Sequence, residues 1–255
     1  VLLNFIGGIE QNHYIAIPLF IVTGELMSRG GVGERIIAFA RALLGFLPGG
    51  LGVCVVGASM IFGGISGSAI ADSAAIGSVM IPNMAKQGYT RAFAAGLVAS
   101  AGTIGIIIPP SIPMLVYGFV GNVSVAELFL AGFIPGAVFG LALMLVCYWV
   151  GRSTGCDPGG KGASAGEIWR SFIGCAPALF LPVIILGGIF SGYVTPTEAA
   201  ALAVVYGLIV TIVVYRDFHI RDLPKLLVDS FITSAVVMVV IGATTVLAWL
   251  ITLEQ

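Results

Sequence analysis

From Ala92 to Ala126 the chain runs for 35 residues without an Asp, Glu, Lys or Arg, and further charge-free runs cover 128–151, 171–197, 199–215 and 230–253. A helix needs about 20 apolar residues to cross the roughly 30 Å hydrocarbon core of a bilayer, so runs of this length fold as membrane-spanning helices. The rest of the composition agrees: 58% of residues are hydrophobic, 9% are charged and the mean hydropathy is +1.10. Soluble domains carry roughly 25% charged residues, which excludes that class. No strand-like alternation competes, so the expected fold is all-α, a polytopic transmembrane helical protein embedded in the lipid bilayer.

Apolar runs place spans at 14–28, 92–121, 125–150, 171–192, 196–215 and 229–253. Residues 33–47 form an amphipathic arm helix along the interface, with Glu34, Arg35 and Arg41 set among apolar positions, and 151–170 form a loop. Basic residues fall in four clusters, Arg29/Arg35/Arg41, Lys86/Arg91, Arg152/Lys161/Arg170 and Arg216/Arg221/Lys225, whereas 122–124 and 193–197 carry none. The positive-inside rule makes the clusters cytoplasmic. Arg41 and Lys86 then lie on the same side, so residues 50–85 enter and return through one face. Their arms, 51–62 and 68–85, would be about 18 Å and 27 Å long as helices, both short of the core, and Gly63-Gly64-Ile65-Ser66-Gly67-Ser68 separates them. A re-entrant helical hairpin is expected; the competing reading is two tilted full spans with a tight external turn.

Two interrupted helices carry the chemistry. At the hairpin tip, Ser66 and Ser68 can cap the second arm, whose N-terminus offers free N–H groups and a positive dipole end to an anion, while carbonyls ending the first arm suit a cation. Close helix packing is the structural alternative for such a Gly/Ser run. Asp72 favours function, because a carboxylate in an apolar arm costs at least about 2.5 kcal/mol at the bilayer centre, although a capping or water-facing Asp is the other option. The second interruption surrounds Pro109-Pro110, which lack amide donors and disfavour helical backbone before them. The carbonyls freed around Ile106–Ile108 need partners, and Ser111, Thr103, the hairpin tip or a cation could supply them; a healed proline kink is the alternative. Thr195-Pro196-Thr197-Glu198 reads as a helix start. His13 and His219 are isolated and read as interfacial.

These residues bring a family into view. Ala16-Ile17-Pro18-Leu19-Phe20, Gly24-Glu25-Leu26-Met27, Leu47-Pro48-Gly49-Gly50-Leu51, the hairpin tip, Ile81-Pro82-Asn83-Met84, Gly88-Tyr89, Ile108-Pro109-Pro110-Ser111-Ile112 and Thr195-Pro196-Thr197-Glu198-Ala199-Ala200-Ala201 stand in an order that resembles the large membrane subunit, of DctM type, of tripartite ATP-independent periplasmic (TRAP) transporters. The resemblance covers nearly the whole chain. It implies a multi-pass protein of the bacterial or archaeal inner membrane with inverted repeats. The implied function is secondary uptake of an organic acid, such as a C4-dicarboxylate, with Na⁺ as coupling ion, no cofactor and an elevator motion. Its implied partners are a periplasmic substrate-binding protein and a small four-helix membrane subunit. By the same resemblance Ser66, Gly67, Ser68, Asp72, Pro110 and Ser111 would face the substrate, and Ser66, Ser68, Gly105, Ile108 and Pro109 would surround Na⁺. Family members often have Pro where Ile106 stands, so unwinding is expected to begin later here. A second hairpin and second broken helix would follow residue 253 in the family; the chain is expected to be a fragment holding the first repeat and the start of the second, unable to transport alone.

Other classes fare worse. A formal net charge of −1 gives no basic footprint for nucleic acid. There is no Walker A or HExxH pattern, and the four cysteines form no CxxC pair. An intramembrane enzyme using Asp72 with Ser66 or Ser68 would lack a second Asp, or a His or Lys in a span, to activate it. A channel is the remaining alternative, and broken helices suit alternating access better.

Overall fold

The computed structural model describes residues 12–157, 159–160 and 162–253; Lys161, part of the third basic cluster, lies outside them. Ten α-helices are described: α1 (Ala16–Arg29), α2 (Val32–Leu44), α3 (Gly50–Ser66), α4 (Ala69–Lys86), α5 (Arg91–Gly102), α6 (Ile112–Val120), α7 (Val125–Thr154), α8 (Ala165–Phe190), α9 (Pro196–Leu208) and α10 (Leu223–Leu253). No strand occurs among the described residues. Four helical segments are long and apolar enough to cross a bilayer: α7, α8, α9 with its π-helical continuation Ile209–Val214, and α10; a bent pair of α1 and α2 makes a fifth candidate. The chain is an all-α, multi-pass integral membrane protein.

The helix starts follow from local chemistry. Thr195 Oγ1 accepts from the Glu198 amide at 3.3 Å while the Glu198 carboxylate accepts from the Thr195 amide at 2.7 Å, with Pro196 at the first helical position. Ser164 and Glu167 build the same reciprocal cap for α8. Pro177 and Pro182 lie inside the continuous α8, and two tyrosines bond its backbone there: Tyr206 Oη donates to the Pro177 carbonyl at 2.8 Å, and the Ala178 amide donates to Tyr215 Oη at 3.2 Å.

Packing divides the helices into two groups. The main partners of α1 are α9 and α10, and α9 also packs on α8; α3 packs on α4, α5 and α7. Between the groups runs α2, turned 66° from α1 and packed on α3 on one side and α8 on the other. Its apolar face, Val32, Ile36, Ile37 and Ala40, is buried. Both connections of α2 pass through a glycine in left-handed backbone, Gly31 at φ +70° and Gly49 at φ +69°, which favours residues without a β-carbon. Arg35 holds the near end: its guanidinium pairs with Asp217 and lies 4.0 Å over the Tyr215 ring.

The helix pair α3–α4 corrects one expectation. Gly63, Gly64, Ile65 and Ser66 are helical, and only Gly67 and Ser68 separate α3 from α4. The physical reason is contact. A β-carbon on Gly63 would lie 2.5 Å from Gly105 Cα, so this glycine lets two backbones touch rather than opening a loop. Nearly every residue of α3 is buried, as befits a helix that is apolar on all sides and surrounded by protein.

Candidate functional site

Two breaks in helical backbone meet in the fold. At the first, Gly67 (φ +61°) ends α3 and Ser68 begins α4, the Ser68 hydroxyl accepting from the Ala71 amide at 3.4 Å and Ser66 Oγ accepting from the Ser68 amide at 3.3 Å. At the second, α5 gives way after Gly102 to a 3-10 turn, Thr103–Ile106, and regular helix resumes only at Ile112, beyond the cis Pro109–Pro110 bond. The helix therefore tightens before the prolines but stays helical through Ile106, and the chain leaves helix at Ile107. The close approach of Gly63 to Gly105 lies within this tightened turn. A direct hydrogen bond joins the breaks, from the Ile112 amide to the Gly67 carbonyl at 3.3 Å.

The freed carbonyls have distinct fates. Ile106 O accepts from Ser111 Oγ at 2.7 Å, so one of the three carbonyls expected to seek a partner is satisfied within its own segment. Ile107 O turns toward Gly132 of α7, where a β-carbon would meet it at 2.5 Å. Pro109 O faces Gly64, and Pro110 O faces Gly67, at 3.5 Å and 2.6 Å from the β-carbons those glycines lack. Thr103 Oγ1 instead donates to Ser100 O and takes no part in the site. Because buried Ser111 both holds Ile106 O and caps α6 by accepting from the Met114 amide at 3.4 Å, Ser111→Ala is expected to cost about 1–3 kcal/mol. A lowered melting temperature of the purified protein checks this; an unchanged one contradicts it.

Asp72 sits in the first turn of α4 with no solvent exposure, and neither carboxylate oxygen makes a hydrogen bond. The capping bond belongs to Ser68, so Asp72 is neither the helix cap nor a water-facing residue. It faces the second break: a β-carbon at Gly105 would lie 3.3 Å from Asp72 Oδ2. Ser59 of α3, also fully buried, lies beside it and is a polar neighbour of the carboxylate. A buried carboxylate left unpaired is costly, which marks this cluster as a place where a charge partner belongs. Among the described residues no three His, Cys, Asp or Glu side chains come together. A cation here would rely on one carboxylate, hydroxyls and carbonyls, a donor set suited to a hard ion.

The residues expected to serve substrate fall into two places. Ser66, Gly67 and Ser68 line a cavity of about 350 Å³ together with Ala69, Ile106 and Ile112. Asp72, Gly105, Ile108, Pro109, Pro110 and Ser111 do not line it, because they stand behind the tip and between α3 and the second break. The opposite wall comes from α1 and α10, through Gly24, Glu25, Thr233 and Val237. Close approach again depends on a glycine, since a β-carbon on Gly24 would lie 2.7 Å from Ser66 O. Sequence reading had not assigned Glu25 or Thr233 to a site. Glu25 did carry a signal, as a carboxylate inside an apolar segment.

Comparison with known proteins agrees with this architecture. The family described as "Tripartite ATP-independent periplasmic transporter, DctM component" matches residues 1–255. The chain is 42% identical over 252 residues to the 2,3-diketo-L-gulonate TRAP transporter large permease protein YiaN of Escherichia coli, covering 99% of this chain and 59% of that protein. It is 45% identical over 247 residues to the C4-dicarboxylate TRAP transporter large permease protein DctM of Pseudomonas aeruginosa, covering 96% and 58%. With the sialic acid TRAP transporter large permease protein SiaM of Vibrio cholerae it shares 41% identity over 252 residues, covering 99% and 59%. The chain thus spans less than two thirds of the length of these relatives. It belongs to the DctM family of TRAP transporter large permease proteins.

Proposed function

We propose that this chain is the substrate-handling part of a secondary transporter that takes up an organic acid across the bacterial inner membrane, driven by Na⁺. The observation that carries the reading is the meeting of two interrupted helices beside the unpaired Asp72 carboxylate and a cavity. Paired helix breaks hold small anions at helix N-termini and cations at freed carbonyls. Here the α4 N-terminus at Ser68 serves the anionic end of the substrate. Asp72, Ser59 and the Pro109 and Pro110 carbonyls, behind the tip, serve Na⁺. The names of the relatives, which specify 2,3-diketo-L-gulonate, C4-dicarboxylate and sialic acid, support an acid as substrate.

An elevator motion is the second part of the proposal. Helices α3–α7 form one packed group and α1, α8, α9 and α10 another, with the cavity between them and α2 as a glycine-flanked arm. The hairpin re-enters from the cytoplasmic face in this reading. A periplasmic binding protein delivers the acid and a small membrane subunit completes the assembly; a single-chain relative named permease protein DctMQ supports a second membrane component. The test uses the full-length transporter with both partners in proteoliposomes. An inward Na⁺ gradient is expected to drive acid accumulation, and accumulation that proceeds equally without Na⁺ would overturn the coupling.

A further inference from the structure

The cavity has a carboxylate on the wall opposite the hairpin tip. Glu25 lines it from α1, with its side chain 34% exposed, and Thr233 lines it from α10. Glu25 Oε2 accepts from Arg29 Nε at 3.1 Å, one turn along α1, and Arg29 Nη2 donates to Asp229 Oδ2 of α10 at 2.8 Å. Thr233 follows Asp229 by one turn, its hydroxyl donating to the Asp229 carbonyl at 3.0 Å. Arg29 therefore pins Glu25 and aligns the two wall helices through one guanidinium. Glu25 Oε1 takes no hydrogen bond among the described residues, leaving an acceptor oxygen at the cavity.

We infer that Glu25 is the wall-side recognition residue, accepting a hydrogen bond from a hydroxyl group on the part of an organic acid that points away from the α4 N-terminus. The inference rests on the transport reading and names its substrate class: hydroxylated acids rather than their unsubstituted counterparts. The polarity of the cavity supports it. The cavity presents helix N–H groups of α4 to an anion and, from α1, the Glu25 carboxylate to a hydrogen-bond donor. Apart from Ser66, Ser68 and Thr233 the remaining lining is backbone and apolar side chain, so Glu25 is the cavity's carboxylate acceptor. A site built to bond a hydroxyl rejects the analogue lacking it more strongly than an apolar pocket distinguishes shapes. Arg29 and Asp229 act as positioning residues, through Glu25 and through α10.

The test reads the permease itself, without the binding protein. Thr233→Cys is placed in a Cys-less full-length permease with its small subunit, and protection from a thiol reagent is measured in Na⁺. The probes are glycerate, threonate and gluconate, each against propionate, butyrate and hexanoate. A hydroxylated acid is expected to protect at a concentration at least about tenfold lower than its unsubstituted partner. Glu25→Gln should bring the two within about threefold, and Arg29→Gln, which leaves the carboxylate but unpins it, should fall between. Equal protection by both sets, or a preference that survives Glu25→Gln, overturns the inference. So does absence of protection by any acid while Na⁺-driven acid uptake by the intact system stands. Failure of that uptake for every acid would instead overturn the transport reading, and this inference with it.

Discussion

Asp72→Asn in the full-length transporter is expected to lower uptake per folded molecule at least about tenfold, roughly 1.4 kcal/mol, with membrane abundance near normal. The substitution keeps the shape and removes the carboxylate from a fully buried position. Were Asp72 structural, it would be bonded to what it holds. The α4 cap is instead made by Ser68. Removing the carboxylate should therefore cost little folding free energy and should weaken cation attraction. Uptake normalised to folded protein in proteoliposomes checks this. Near wild-type specific activity would take Asp72 off the list of functional residues, and a large fall in abundance with intact specific activity would make it structural.

Gly63→Ala carries the second large effect. The added β-carbon would meet Gly105 Cα at 2.5 Å and Gly105 N at 3.1 Å, both backbone atoms that no rotamer change can move aside. Overpacking of this kind costs about 1–3 kcal/mol and more where backbone must shift. It would also push α3 away from the break that faces Asp72, so both melting temperature and uptake should fall. Gly96→Ala is the control, because its β-carbon would meet nothing within 4 Å. There the exchange is expected to be neutral or slightly stabilising, since alanine loses less backbone entropy in a helix. Equal melting temperatures for the two variants would contradict the contact between the breaks.

Both breaks were legible in the sequence, for different reasons. Pro109-Pro110 announces an interruption because two amide donors are missing whatever surrounds them. Asp72 stands out because a carboxylate in an apolar arm needs a reason to be there. The run from Gly63 to Ser68 was read as an open connection, but glycine serves loops and close helix contacts alike, and only the facing Gly105 decides between them. The tightening of the helix at Thr103 has a related cause: Gly105 touches Gly63, a residue 42 positions earlier, and that contact leaves no local trace. Glu25 and Arg29 alone read as an ordinary helix pair four residues apart. The place of Glu25 on the cavity depends on Asp229 and Thr233, some 200 residues later in the chain.

The central claim is that the hairpin tip and the broken helix form one site that closes around Na⁺ and substrate. The most direct measurement is the labelling rate of Ser68→Cys by a membrane-impermeant thiol reagent, with Cys54, Cys147, Cys156 and Cys175 replaced in the full-length protein. Ser68 lines the cavity and caps α4, so closure should bury it. Labelling is expected to slow at least about tenfold when Na⁺ replaces K⁺, and Asp72→Asn should abolish the difference. Equal rates in Na⁺ and K⁺, with the protein folded and active, would contradict the account.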